Sequence, residues 1–134
     1  MATQTAPSNF PVRVLRSNSL VSGISGLAML LAAGPLATLF GLSTTSAFTL
    51  VGLVAFGFAL WLVWRIRHRP LPRRTVLVVA LLDSLWVVIS VVGLLTNEFQ
   101  VTTEGKWLIL FASDIVGVFA VLEFYGWWRM KEKG

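Results

Sequence analysis

Hydrophobic and polar positions segregate along this chain in long blocks. Four apolar stretches, about 17–33, 47–64, 75–95 and 107–128, are separated by short polar runs. At a rise of about 1.5 Å per residue, a helix of roughly 20 residues crosses the ~30 Å hydrocarbon layer of a bilayer. Each stretch therefore predicts a transmembrane helix, the first a little short. Lipid offers backbone N–H and C=O groups no partners, so helices are the form such runs must take. Gly34-Pro35 interrupts the first apolar region, and Leu36–Leu42 continues it. Proline suits the first turn of a helix and disrupts its interior. Two outcomes follow: a first span ending near Ala33 with a short interfacial helix opened by Pro35, or one longer kinked helix. Ser43–Ser46 reads as a turn, and Thr103-Glu104 suits a cap for the last span. Short connections favour antiparallel neighbours, so the predicted fold is an all-α, polytopic bundle of four helices running up-down-up-down. Residues 1–16 are expected to form a polar tail before the 17–128 transmembrane domain, and 129–134 a basic tail after it.

Composition supports this. The 134 residues are 56% hydrophobic and only 13% charged, with mean hydropathy +0.79, which a soluble domain of this size could not cover with polar surface. There is no cysteine, which excludes disulfides, thiolate metal sites and thiol chemistry. Arg13, Arg16 and the apolar Leu20–Leu31 before Ala32-Ala33-Gly34 also fit a signal peptide, but the apolar pattern continues past Gly34 and a retained first helix is expected.

The net charge of +5 would suggest nucleic acid in a soluble protein; here the charges flank apolar segments, and anionic lipid headgroups are the expected partner. Ten of the eleven Lys and Arg residues lie before the first span, between the second and third, or after the fourth; only Lys106 lies on the other side. The positive-inside rule then places both termini and the Arg65–Arg74 loop in the cytoplasm. Trp64, Tyr125, Trp127 and Trp128 fall near that boundary and Trp107 near the opposite one. Trp61 and Trp86 lie deeper and read as packing residues.

Asp83 and Asp114 each fall near the middle of a span. Intramembrane acids are costly and face the bundle or a cavity. Counted from the span ends, Asp83 matches Ser25 in depth and Asp114 matches Ser90, so two hydrogen-bonded polar pairs are expected, either as clamps or as a proton or cation relay. Their depths differ by roughly 8 Å, which argues against a dyad of the two aspartates. Glu123, nine residues after Asp114, projects from the opposite face, and an ion pair with Arg65 or Arg73 is expected. Arg65, Arg67, Arg69, Arg73 and Arg74 are candidate headgroup contacts. Small residues four apart, Ser19/Gly23 and Ser22/Gly26, suit close helix approach, either inside the bundle or between copies. His68 is the only histidine and lies in a loop. No catalytic set, phosphate loop, cofactor site or metal-ligand spacing appears.

Arg16-Ser-Asn18, Gly34-Pro35-Leu36, Phe40-Gly41-Leu42, Ala80-Leu-Leu-Asp83 with Trp86, and Thr102–Trp107 together give residues 13–129 a loose resemblance to DoxX-like and related small four-span prokaryotic membrane proteins. The resemblance implies a four-helix bundle in a prokaryotic inner membrane and says little about activity. Small multidrug transporters share the size and span number, but their intramembrane glutamate lies in the first span, which here carries no acid.

Three function classes follow. The favoured expectation is a non-catalytic accessory or assembly protein acting through helix contacts, as a homo-oligomer or within a larger membrane complex. The alternative is a small oligomeric proton- or cation-coupled transporter or channel using Asp83 and Asp114. A membrane enzyme fits worst, because catalytic groups are lacking. Single cysteines in this cysteine-free chain test the orientation. Thr45→Cys is expected to react with a membrane-impermeant maleimide on intact cells, and His68→Cys only after lysis; the reverse pattern would refute the assignment.

Overall fold

A computed structural model describes residues 9–68 and 70–133 of the chain. It contains α1 (Phe10–Leu31), α2 (Ala33–Phe40), α3 (Ser46–Arg67), α4 (Arg73–Leu95) and α5 (Thr103–Lys133), with no strand among the described residues. α1, α3, α4 and α5 are each long and apolar enough to cross a membrane. Large apolar side chains such as Leu31, Leu50, Leu95 and Val121 stand exposed on the outside, as lipid-facing residues do.

The helices are longer than the apolar blocks. α1 begins at Phe10 rather than Ser17, because Pro11 sits in its first turn, where the missing N–H costs nothing. Pro11, Val12, Val14 and Leu15 are buried, so residues 10–16 of the expected polar tail are helix packed against the bundle. Phe10 meets Tyr125 edge-on at 5.6 Å. At the far end, α5 continues to Lys133 instead of stopping at Trp128. Its cap is Thr102, whose hydroxyl accepts the Gly105 N–H at 3.1 Å, one residue before the expected Thr103-Glu104. α1 ends at Leu31, and Ala32 breaks the helical geometry (φ −114°, ψ 29°). Pro35 then lies in the first turn of the separate helix α2, which agrees with the short-helix outcome.

α1 packs most closely against α3, α4 against α5, and α1 also touches α5. Hydrophobic drive between helices is weak in lipid, so close approach depends on small residues and polar contacts. The α1–α3 contact is nearly backbone to backbone. A Cβ on Gly26 would stand 2.7 Å from the Phe56 amide nitrogen and 2.9 Å from the Gly52 carbonyl oxygen. The small residues of the first span thus serve packing inside the bundle.

The two ends of the bundle differ. At the end rich in arginine, Val12, Leu15, Leu62, Ile66, Leu71, Val76 and Val79 form a packed core, with Trp61 against it as expected. Arg65 Nη2 donates to Thr75 Oγ1 at 2.7 Å, and Arg73 Nε to the Trp127 carbonyl at 3.0 Å while its guanidinium stacks 4.1 Å over the Trp127 ring. These contacts tie α3 to α4 and α4 to α5 where the loop enters. At the opposite end, Gly41 ends α2 in the left-handed conformation (φ 75°), and Thr102 clasps α2 through the Phe40 and Leu39 carbonyls. There a half-open apolar cavity of about 390 Å³ lies between the α1–α3 and α4–α5 pairs, and its walls include Phe40, Phe48, Trp86, Ser90 and Phe99. Trp86, expected to be a packing residue, lines this cavity and is 40% exposed.

Gly26→Leu is expected to destabilise the bundle by about 1–3 kcal/mol through overpacking. Gly57→Ala, with nothing within 4 Å of its added carbon, should be neutral or stabilising by up to about 1 kcal/mol. Unfolding in mixed micelles measures both.

Candidate functional site

The inward-facing polar groups meet on three helices. Asn18 lies about 12 Å along α1 from Phe10, while Asp83 and Glu123 lie about 15 Å from the basic ends of α4 and α5. All three are buried: Asn18 is 3% exposed, Asp83 7% and Glu123 0%. Asn18 Nδ2 donates one hydrogen bond to Asp83 Oδ2 and another to Glu123 Oε2, each 2.7 Å long. Asn18 Oδ1 accepts from Ser22 Oγ, one turn along α1, at 3.0 Å. An amide group has two donors on nitrogen, and here both are spent on acids. The carboxylates, which only accept, draw the nitrogen end of the amide, and the oxygen end is left to the Ser22 hydroxyl. Two carboxyls from different helices therefore stand side by side, bridged by the side chain of a third. Glu123 Oε1 is buried and has no partner among the described residues.

The expected pairings are rearranged. Asp83 does point into the bundle, but its partner is Asn18. Ser25 is exposed. Counting depth from Ser17 placed Ser25 beside Asp83; α1 starts at Phe10, and the residue about two turns in is Asn18. Asp114 is exposed on the outer side of α5, and no hydrogen bond joins it to Ser90, which is buried against the apolar cavity. Glu123 does face away from Asp114, but it forms no ion pair with Arg65 or Arg73. Those side chains are held by Thr75 and the Trp127 backbone, closer to the loop. Arg67 and Arg74 are exposed, and Arg69 lies outside the described residues.

Asn18 and the Glu123 role are what sequence reasoning missed. A signal existed: Pro11 marks an earlier helix start, and Leu15, Asn18, Ser22 and Gly26 follow it at helical spacing on one face. Glu123 is separately marked by its near half-turn offset from Asp114, since only one of the two acids can face inward.

No protein-family model, curated protein or solved structure matches this chain. The site offers two acidic groups and one fixed amide donor in a buried setting, suited to holding and releasing a proton. A cation is poorly served, because the Asn18 nitrogen projects its hydrogens between the carboxyls, where a metal would need oxygen ligands.

Asn18→Ala removes the donor that, among the described residues, both acids share. Leaving buried acceptors unsatisfied costs about 1–3 kcal/mol each, so a loss of at least ~2 kcal/mol is expected. Ser25→Ala, on the exposed face, should stay within about 0.5 kcal/mol of wild type. Equal stability of the two variants would refute the Asn18-centred arrangement.

Proposed function

We propose that this multi-pass membrane protein is a small proton-linked carrier, with Asp83 and Glu123 as the proton-binding pair and Asn18 as the group that positions them. The observation that carries this reading is the meeting of two buried carboxyls on one amide. A clamp between helices needs only one acceptor for each donor helix. A second acid beside the first adds repulsion, unless a proton is shared between them. Buried ionisable groups in membrane helices that meet in this way mark proton relays in pumps and transporters.

The apolar cavity supports a carrier over a bare proton path. It begins one turn beyond Asp83 on α4, at Trp86, and extends past Ser90 towards the end of the bundle opposite the arginines. A small lipid-soluble molecule would lie there, against aromatic walls and one hydroxyl. The positive-inside rule orients both termini to the cytoplasm and places Arg67 and Arg74 at anionic headgroups. In this orientation the acid pair lies in the cytoplasmic half and the cavity in the outer half. The resemblance to DoxX-like inner-membrane proteins is compatible with this placement and adds no activity to it.

The accessory-protein reading keeps one specific support, the outward-facing Asp114, which a neighbouring helix would need to cover.

Proton flux tests the proposal. In vesicles carrying a potassium gradient with valinomycin, wild type should acidify or alkalinise the lumen, as read by an enclosed pH dye. Asp83→Asn and Glu123→Gln should each slow this at least tenfold while keeping the fold, and Asp114→Asn should not. Wild-type flux no faster than that of the double variant Asp83→Asn/Glu123→Gln would overturn the reading.

A further inference from the structure

Asp114 is a carboxyl on the outer face of a membrane-crossing helix, about two turns in from Trp107. Acids at such depth face a bundle interior, a cavity or another helix, because hydrocarbon cannot solvate them. The bundle interior does not hold this one. Beside it, Ser113 is 3% exposed, and its Oγ has no hydrogen-bond partner among the described residues. Ser113 and Asp114 together line a shallow groove between α4 and α5, with Val87 and Gly117 in its walls. Two polar groups in one groove thus lack partners at the same depth.

The rest of the face has a definite spacing. Phe111, Asp114, Val118, Val121, Tyr125 and Trp128 are all exposed and alternate at intervals of three and four along α5. An average repeat of 3.5 residues is the spacing that a/d positions take when one helix packs lengthwise on another. Membrane helix pairs adopt that left-handed crossing widely. A single polar residue within such a seam sets register and partner number.

We infer that this face of α5 is the interface with a second copy of the chain, related by a two-fold axis along the membrane normal. In that arrangement, residues at equal depth meet across the axis, so Asp114 meets its own counterpart. Two carboxyls sharing one proton satisfy each other, as paired acids do. A foreign helix would have to bring an apolar seam of the same period with a polar group at that one depth. This chain carries both, and two-fold symmetry matches the depths automatically. With that proton shared, the face meets its own copy as a two-fold interface requires. The inference is independent of the proton chemistry assigned to Asp83 and Glu123.

The cysteine-free sequence makes the test direct. In native membranes, Val118→Cys and Val121→Cys should form disulfide-linked dimers of twice the chain mass under mild oxidation. Leu53→Cys and Leu60→Cys, on the exposed face of α3, should do so at least tenfold less. Asp114→Leu should weaken dimerisation at least tenfold in a dilution series in lipid, read by energy transfer between labelled copies. Asp114→Asn, which keeps a hydrogen-bonding side chain, should restore most of it. Cross-linking at α3 as efficient as at α5, energy transfer unchanged in Asp114→Leu, or cross-links from Val118→Cys only to a protein of different mass would each overturn the inference.

Discussion

Inside a bilayer, a buried polar group has only other protein groups to turn to, and the whole bundle is organised around one such group. The Asn18 amide joins α1 to α4 and to α5 through two 2.7 Å hydrogen bonds. α1 is joined to α3 by the bare backbone contact at Gly26 and Gly52. α4 and α5 pack directly on each other, and α1 is the element that relates this pair to α3. Since lipid gives little net reward for burying apolar surface between helices, these few specific contacts carry more of the fold than they would in water.

The polar contacts are unevenly distributed along the membrane normal. The basic end is clasped by Arg65 and Arg73, packed by Leu15, Leu62, Val76 and Val79, and closed by the first turn of α1. The opposite end has a clasp only at its rim, where Thr102 holds α2, and below that rim the helix pairs stand apart around the cavity. The acid pair sits between these two regimes. A change in its hydrogen bonding would act on the α1–α4 and α1–α5 contacts directly, just where dense packing gives way to open space. That position links a local chemical event to the shape of the cavity without requiring movement of the clasped end.

The architecture was legible because its signal is coarse: block hydropathy determines helix number, and short connections favour antiparallel neighbours regardless of detail. The site was legible only in part. Asp83 announces itself as an acid in an apolar run. Asn18 does not, because asparagine near the apparent start of a span reads as boundary polarity, and it becomes a deep residue only once α1 is known to start at Phe10. A seven-residue error in a helix end moves a residue about 10 Å along the membrane normal, enough to exchange Asn18 for Ser25. Glu123 was placed on the correct face yet given the wrong partner. Arginines at a similar depth in the membrane need not be free, and these two are already held by Thr75 and by the Trp127 carbonyl.

The hydrogen bond from Ser22 to Asn18 Oδ1 has a directional consequence. It polarises the junction: hydrogens point from serine to amide and from amide to acids, so the face of the carboxyl pair turned towards α1 is already saturated with donors. On Glu123, the second oxygen, Oε1, is buried and has no hydrogen-bond partner among the described residues. The cluster is therefore not a symmetric bowl of acids: its donor wall belongs to α1, and the oxygens that Asn18 leaves unused belong to α4 and α5.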